Sequence, residues 1–343
     1  MPALDNKSLS SLSMFSGGGG FDLGFDYAGF SHVASYELLD FAAETISSNR
    51  PLWNVYGGDE GDVTGIDWRH YRGGVDVIHG GPPCQPFSSA GRQRGARDPR
   101  DMFPQFVRAV KEIEPKVFIA ENVRGLAGAK FRAYVTETIV EPLTAKYEIR
   151  SFLLNAASFG VPQSRTRVVF IGYHKTSVGI TPSEPSATHD WSEFRKNNSS
   201  KQASMWDEEL PRTMGVRAAL GLPDTGVDAL SPTLRCSLTG PRGTTSILSS
   251  SAAQDVWQRL EIWPNGVGAD RRSAQAFPAK YDHYRLSVEE CALLQGFPND
   301  WRFHGAVHKS LGQIGNSVAP PMAYAIAKSV SEDLKLRSSK SKG

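Results

Sequence analysis

The sequence predicts an α/β protein with a doubly wound sheet. Short apolar runs typical of buried strands alternate with segments of helical periodicity through residues 12–171. The first strand, residues 12–15, runs into a glycine-rich turn at 16–20 and then into a helix with an apolar pattern. The second strand, residues 32–36, ends in Glu37. This order of elements is typical of the nucleoside-binding start of such a sheet: a strand, a glycine turn, a helix, and a second strand that ends in an acid.

The glycine turn and the acids that follow it form a candidate nucleoside site. Glycine is required where a ligand approaches the backbone in a tight turn, because it has no Cβ. An acid at the end of the second strand suits ribose hydroxyls, and Asp62 is a candidate for binding an adenine edge. Flexible linkers also contain glycine runs, and acids at strand ends are often simply exposed. The prediction therefore depends on the flanking strand and helix.

A second turn presents one thiol. Residues 75–78 predict a buried strand, which two glycines and two prolines end immediately before Cys84. Open α/β sheets bind ligands at the carboxyl ends of their strands, although a free cysteine in a tight turn is more often structural. Residues 91–100 follow, with four arginines and two glycines. A mobile loop of this composition is able to clamp phosphates and close over a substrate.

Composition limits the classes of protein and partner. The 343 residues include 38 basic and 36 acidic side chains, a formal net charge of +2, so a surface for nucleic acid must come from local clustering. Cys84, Cys236 and Cys291 form neither a disulfide framework nor a metal-ligand spacing, which predicts a cytoplasmic protein without a metal site. No signal segment and no apolar run of about 20 residues is present, so no membrane association is expected.

Three further chemical groups are predicted near strand ends. Residues 116–120 predict a strand that ends in Glu121, which places a carboxylate at the same sheet edge as Cys84. Alternation along residues 165–167 predicts that Arg165 and Arg167 share one face of a strand. Taken in isolation, two arginines at the start of a strand would be expected to lie exposed on the surface without a specific role.

The composition changes near residue 173, where segments rich in turn formers begin. The expected divisions are a catalytic and cofactor-binding domain at 1–172, a smaller loop-rich domain at 173–284, a hinge helix region at 285–305, a segment returning to the first domain at 306–335, and a basic tail at 336–343. Ser287 and Glu290 predict a capping box, and a polar turn at 313–318 is expected before a last helix that begins at Pro320. The tail is expected to be disordered.

Taken together and in order, these motifs resemble the cytosine-C5 DNA methyltransferase family. Residues 15–20 are similar to its cofactor-binding opening, 81–85 to its catalytic Pro-Cys-Gln loop and 121–123 to its Glu-Asn-Val motif. Residues 163–167 match its Gln-x-Arg-x-Arg motif, and 285–298 and 315–318 match its two closing motifs. The resemblance implies a Rossmann-like S-adenosylmethionine-dependent methyltransferase sheet with a smaller, loop-rich target-recognition domain.

The resemblance implies methyl transfer from S-adenosyl-L-methionine to C5 of a cytosine flipped out of double-stranded DNA. C5 is a poor nucleophile, so Cys84 first adds to C6, which requires a thiol that ionises near neutral pH. A protonated Glu121 would donate to ring N3, and Arg165, with Arg167 beside it, would hold O2. The first arginine is expected to contact the base.

The resemblance also implies the remaining contacts. Residues expected to bind the cofactor are Phe15, Ser16, Gly17, Gly19, Gly20, Glu37, Asp62, Val63, Pro82, Asn316, Ser317 and Val318. Residues expected to contact DNA are Gln85, Ser88, Arg92, Arg94 and Thr233. The chain is expected to act as a monomer, and a cognate restriction endonuclease would act on the same DNA site without direct contact.

Three alternatives stay open at this point. Methylation of cytosine in tRNA uses the same motifs, but the variable region lacks the Cys-Phe-Thr signature of such relatives. A noncatalytic binder of DNA or cofactor has no need of a thiol. A nicotinamide dehydrogenase would explain the glycine turn and Glu37 but not the Cys84 segment. The recognised DNA sequence, the residues that read it and the base that removes the C5 proton are not predicted.

Overall fold

The computed structural model describes residues 1–4, 8–83, 87, 100–195, 210–234, 245–276 and 282–340. The chain forms two compact units. The first contains Met1–Leu154, Thr166–Ser186 and Ala323–Gly343, and the second contains Asn155–Arg165 and Ala187–Met322. Residues 155–165, which the sequence division places in the first domain, belong to the second unit, where their backbone pairs with residues 231–232. No described helix is both long and apolar enough to cross a membrane.

The described part of the chain contains both strands and helices. In chain order the strands are β1 (Leu9–Met14), β2 (Phe30–Glu37), β3 (Val55–Gly57), β4 (Val77–Gly80), β5 (Val117–Val123), β6 (Tyr147–Asn155), β7 (Gln163–Ser164), β8 (Thr166–His174), β9 (Ser231–Pro232), β10 (Ile262–Gly268) and β11 (Tyr284–Ser287). The helices are α1 (Gly20–Tyr27), α2 (Asp40–Asn49), α3 (Phe103–Ile113), α4 (Arg132–Tyr134), α5 (Glu141–Thr144), α6 (Val216–Ala219), α7 (Ser251–Arg259), α8 (Arg271–Ala276), α9 (Val288–Gln295), α10 (Val307–Asn316) and α11 (Pro320–Lys340).

The first unit is built on a seven-stranded sheet in the order β3-β2-β1-β4-β5-β8-β6. Strands β1 to β5 pair in parallel, and β8 runs antiparallel to β5. The order reverses between β1 and β4, which is the switch point where doubly wound sheets bind ligands. The predicted doubly wound α/β fold is therefore confirmed.

The helices of the first unit pack through apolar residues that recur on one helical face. Phe103, Phe106 and Val110 of α3 recur on one helical face and are fully or almost fully buried in the core against the sheet. Helix α11 packs closely on α1 at Gly24, where an added Cβ would lie 2.5 Å from the Cβ of Ala323. Burial of these faces, rather than intrinsic helix propensity, stabilises such helices.

The second unit contains two small sheets, in which β7 pairs with β9 and β10 with β11. The predicted capping box is confirmed, because the Ser287 side chain accepts from the backbone of Glu290 and the Glu290 side chain accepts in return. The polar turn predicted at 313–318 is wrong in its first part, since α10 continues to Asn316. Buried Leu311 and Ile314 place that segment on an apolar helical face.

The last helix begins at Pro320, as predicted, but it extends to Lys340. The expectation that the tail is disordered from residue 336 is therefore wrong for its first five residues. No glycine or proline interrupts the sequence between 322 and 340, so nothing local ends the helix there.

Candidate active site

The candidate site lies at the carboxyl edge of the sheet in the first unit. Met14, the last residue of β1, is paired with Gly80, the last residue of β4. Gly80 is in turn paired with Ala120 of β5. The turn after β1 and the segment after β4 therefore begin beside each other and beside Glu121, which follows Ala120 within β5.

The turn after β1, residues 15–19 (the cofactor turn), has an unusual backbone. Phe15, Gly17 and Gly19 have φ angles of 55°, 56° and 81°. A side chain is rarely tolerated in this left-handed region, and a non-glycine residue there marks local strain of the kind that clusters at functional sites. Gly19 caps α1 and offers no side-chain hydrogen bond. Because Gly17 and Gly19 carry no Cβ, no side chain at these positions blocks a ligand.

Glu37 ties the cofactor turn to the end of β2. Its Oε2 accepts the Gly17 N–H at 2.7 Å, and its Oε1 accepts the Leu39 N–H at 2.9 Å. Burial raises the pKa of Glu37, the two backbone bonds oppose this rise, and the charge of Asp22 adds to it. Each oxygen of an ionised carboxylate retains a further lone pair, so Glu37 is able to accept from ribose hydroxyls as well.

The turn that contains Asp62 contacts the end of β2 through Gly61 and helix α3 through Arg108. An added Cβ on Gly61 would lie 2.2 Å from the Glu37 carbonyl oxygen, so glycine alone fits beneath the end of β2. Asp62 accepts the Thr64 N–H at 2.9 Å, which lowers the pKa of its carboxyl. Arg108 of α3 donates to the Val63 carbonyl at 2.7 Å. The sequence analysis missed Arg108, because nothing in a helical pattern identifies the loop that a polar side chain reaches.

The residues of the first unit fit an adenosyl group. The turn after β1 has no Cβ at Gly17 and Gly19. The buried carboxylate of Glu37 has further lone pairs that can accept hydrogen bonds, and the apolar side chain of Val63 is 4% exposed. Pro82 is buried in the segment after β4. The other residues expected to bind the cofactor lie in the second unit: Asn316, which is exposed, and Ser317 and Val318, which are buried.

Cys84, Gln85, Ser88, Arg92 and Arg94 lie outside the described residues, so their predicted roles remain predictions.

The segment that leads to the thiol is fixed against β5. An added Cβ on Gly81 would lie 3.2 Å from Oε2 of Glu121. The Asn122 side chain, which is 1% exposed, donates to the Pro82 carbonyl at 2.9 Å. Asn122 belongs to the recognised Glu-Asn-Val motif, but its sequence position did not reveal this contact.

Glu121 and Arg167 form a buried ion pair within the first unit. The Nε of Arg167 lies 2.9 Å from Oε1 of Glu121, and both side chains are about nine-tenths buried. The register of β5 and β8 pairs Arg167 with Val123, two residues beyond Glu121 on the neighbouring strand. Side chains two residues apart project from the same face of a strand, so the guanidinium reaches the carboxylate along the strand direction.

Arg165 has different partners from Arg167. It is 1% exposed, and its Nη2 donates to the carbonyls of Gly315 and Ser317 at 2.9 Å each. These carbonyls are at the C-terminal end of α10, where helix carbonyls lack partners and a cation is favourable. Alternation does not place both arginines on one face, because Arg165 lies between β7 and β8 rather than within a strand.

Gln163 and Gln295 extend this network inside the second unit. Gln163 Nε2 donates to Gln295 Oε1 at 2.9 Å, and Gln295 Nε2 donates to the Ser317 carbonyl at 2.8 Å. The hydroxyl of Thr233 donates to the Ser164 carbonyl at 2.9 Å, so it is bound to the backbone in this structure.

Comparisons with known proteins agree with this geometry. The family model described as C-5 cytosine-specific DNA methylase matches residues 9–332. The chain is 34% identical to the type II methyltransferase M.NgoMIV of Neisseria gonorrhoeae, with 95% of this chain and 98% of the relative covered. It is 32% identical to the type II methyltransferase M.Eco47II of Escherichia coli, with 95% and 80% covered.

Solved structures resemble the fold. The chain superposes with a TM-score of 0.61 on a prophage-encoded Escherichia coli protein described as a DNA modification methyltransferase, at 24% identity and with 96% and 100% of the two chains covered. The S. pombe Dnmt2 methyltransferase gives a TM-score of 0.56 at 17% identity, with 96% and 99% covered. Because the family model spans nearly the whole sequence, the chain belongs to the C-5 cytosine-specific DNA methylase family and is a DNA (cytosine-5-)-methyltransferase that uses S-adenosyl-L-methionine as its methyl donor.

Proposed function

We propose that this enzyme modifies a cytosine within a short, specific sequence of double-stranded DNA as the modification partner of a type II restriction system. The full-length relatives at 30–34% identity are type II methyltransferases, which supports this role. A restriction endonuclease would then act on the same site without contacting this chain, which acts as a monomer in the cytoplasm.

The observation that carries the proposed mechanism is the attachment of the Cys84 segment to β5. Gly81 lies against the Glu121 carboxylate and Pro82 accepts from Asn122, so the backbone entering the thiol segment is fixed beside an acid. A nucleophile and an acid that act on one pyrimidine ring must be held at fixed separation, and this contact supplies that constraint. Cys84 then adds to C6 of the flipped cytosine, and the ring becomes electron-rich at C5.

Glu121 and Arg167 meet the charge that develops on the ring. Glu121 donates to ring N3 when protonated, and Arg167, its ion-pair partner at 2.9 Å, donates to O2. Preorganised donors of this kind are typically the largest electrostatic contribution to catalysis. Arg165 instead holds the carbonyls that end α10, within the second unit. This assignment reverses the expected order of the two arginines.

The cofactor supplies an electrophilic methyl group on a sulfonium centre. In the first unit, Phe15, Ser16, Gly17, Gly19 and Gly20 would approach its amino acid and ribose portions, and Glu37 would accept from the ribose hydroxyls. Asp62, Val63 and Pro82 would contact the adenine, and Asn316, Ser317 and Val318 of the second unit complete the proposed set. Residues 173–284 are proposed as the target-recognition domain, with Thr233 among its DNA contacts.

The experiment that tests the function is bisulfite sequencing of the DNA of a methylation-free host that expresses the chain. Protected cytosines in one short sequence context are expected, and that context is the recognition site. Soluble protein with no protected DNA would contradict the proposal and make cytosine in tRNA the substrate to assay next.

The role of Cys84 is tested by substitution. Cys84→Ala is expected to abolish methyl transfer and leave cofactor affinity within about threefold, because the thiol acts on the base. Cys84→Ser should be almost as inactive, since a hydroxyl is far less ionised near neutral pH. Loss of cofactor binding in Cys84→Ala would instead indicate that the thiol segment is structural. Isothermal titration with S-adenosyl-L-methionine separates the two results.

A further inference from the structure

Arg108 of α3 attaches the Asp62 turn (residues 62–66) to the helix. Its Nη2 donates to the Val63 carbonyl at 2.7 Å, and its Nη1 donates to the Ile66 carbonyl at 2.8 Å. Its Nε donates to Oε1 of Gln105, three residues earlier on the same helix, at 2.9 Å. One guanidinium group therefore holds two carbonyls of the turn, and a neighbouring side chain of the helix fixes the orientation of that group.

Glu112 of the same helix holds the chain just beyond the Asp62 turn. It lies four residues after Arg108 and pairs with it at 3.3 Å, and its Oε2 accepts the Trp68 N–H at 3.0 Å. Helix α3 is itself anchored in the core by the buried side chains of Phe106 and Val110. Residues 62–68 are therefore tied to a fixed helix at two points.

A single peptide group connects Arg108 to Asp62. The Val63 carbonyl and the Thr64 N–H belong to one planar trans peptide, in which these two bonds point in opposite directions. Arg108 binds the oxygen of this group, and Oδ1 of Asp62 accepts its N–H at 2.9 Å. A peptide plane that is held at its oxygen also keeps the direction of its N–H. The position of Arg108 therefore bears on the direction of the Asp62 carboxylate.

We propose that Arg108 is a positioning residue for recognition of the adenine base, because it orients the Val63–Thr64 peptide and, through that peptide, the Asp62 carboxylate. This inference rests on the proposed contact between Asp62 and the adenine edge. An ionised carboxylate has about four lone-pair sites, so the bond to Thr64 leaves capacity for a donor on the ligand.

The donor on adenine is its exocyclic N6 amino group. Hypoxanthine, the base of inosine, has a carbonyl oxygen at the same place, which a carboxylate cannot bind because both groups only accept. A correctly directed Asp62 carboxylate therefore discriminates between the two bases. An arginine that merely stabilised the fold would change the affinity for both ligands together, so the ratio of the two affinities isolates the positioning role.

The test is isothermal titration of the full chain with S-adenosyl-L-homocysteine and with S-inosyl-L-homocysteine, which differ only in the base. The wild-type chain is expected to bind the adenosyl ligand at least about tenfold more tightly than the inosyl ligand. Arg108→Met removes the donors and keeps the aliphatic part of the side chain. It should weaken binding of the adenosyl ligand by about tenfold and binding of the inosyl ligand by less than about threefold.

Arg72→Met is the matched control. Arg72 also donates to two backbone carbonyls of α3, those of Glu112 at 3.0 Å and Lys111 at 3.4 Å, and neither belongs to the Asp62 turn. This variant should lose stability and keep the wild-type ratio of the two affinities. A ratio that fell equally in Arg72→Met and Arg108→Met would overturn the inference, because the effect would then not depend on the Asp62 turn.

Asp62→Ala separates the inference from the proposed cofactor site. It should lower the ratio as far as Arg108→Met does, and the double variant should lower it no further, because both substitutions act on one contact. A wild-type ratio in Asp62→Ala would overturn the proposed contact of Asp62 with adenine. A lowered ratio in Asp62→Ala together with the wild-type ratio in Arg108→Met would overturn the inference alone.

Hydrogen exchange of the ligand-free protein measures the peptide link directly. The Thr64 amide should exchange faster in Arg108→Met and at the wild-type rate in Arg72→Met. A wild-type exchange rate of this amide in Arg108→Met would overturn the inference. If Arg108→Met does not fold, Arg108→Gln is measured in its place, since its side chain is shorter and uncharged, and a wild-type ratio of affinities in that variant would overturn the inference equally.

Discussion

The two arginines of the Gln-x-Arg-x-Arg motif are expected to respond differently to the same substitution. Methionine replaces the aliphatic part of an arginine side chain and removes its charge and donors. In Arg165→Met, the Gly315 carbonyl loses its Arg165 donor, whereas the Ser317 carbonyl keeps the Gln295 bond at 2.8 Å. A hydrogen bond to a charged group contributes about 1.5–3 kcal/mol. The bond to Gly315 is counted in full and the bond to Ser317 only in part, because Ser317 keeps another donor. Arg165→Met should therefore lower the free energy of unfolding by roughly 3 kcal/mol.

Arg167→Met removes a different interaction. It leaves Glu121 buried without its cation, which costs stability, and under the proposed mechanism it also removes a donor to the charge that develops on the ring. Loss of one such donor typically lowers kcat by about 100- to 1,000-fold. Arg165→Met should keep the turnover of the folded protein within about tenfold, since that side chain bonds to backbone carbonyls rather than to Glu121.

Two assays separate these effects. Urea titration followed by circular dichroism gives the stability of each variant, and transfer of a labelled methyl group to DNA is measured at a temperature where each variant is folded. Arg165→Lys serves as the control, because it keeps a cation at the end of α10 and should recover part of the lost stability. If Arg165→Met were as stable as wild type but inactive, while Arg167→Met remained active, the assignment of the two arginines would be refuted.

Two further predictions concern the backbone contacts of the site. Asn122→Leu leaves the Pro82 carbonyl without its donor, so methyl transfer should slow by roughly tenfold and cofactor affinity should fall by less than that, and an unchanged transfer rate would contradict the role of that contact. Gly61→Ala places a Cβ 2.2 Å from the Glu37 carbonyl oxygen, so calorimetry should show at least roughly tenfold weaker cofactor binding, whereas Gly65→Ala, with open space at its Cβ, should bind like wild type.

The sheet could be predicted from the sequence because its signals are local. A glycine turn after a first strand, an acid after the second and buried apolar runs before Cys84 and Glu121 each depend on a few neighbouring residues. The direction of β8 could not be predicted in the same way. An apolar run shows that a strand is buried, but it does not show whether the strand lies parallel or antiparallel to its neighbour, which depends on the path of the chain between them.

In the candidate site too, features set by neighbouring residues were predictable and features that depend on distant parts of the chain were not. The rule that strand carboxyl ends share one edge predicts Glu121 at the same edge as Cys84, and the described residue Gly81, which precedes Cys84 by three positions, lies close to the Glu121 carboxylate. The partners of Arg165 were not predictable, because Ser317 is 152 residues away in sequence.

The two arginines of the motif at residues 163–167 have partners in different units. The chain passes from the second unit to the first between Arg165 and Thr166. Gln163 and Arg165 form their hydrogen bonds inside the second unit, with Gln295 and with the end of α10. Arg167 forms its ion pair inside the first, with Glu121. A substitution before the crossing therefore acts on hydrogen bonds of the second unit, and one after it acts on the ion pair of Glu121 in the first, although the two arginines are separated by a single residue.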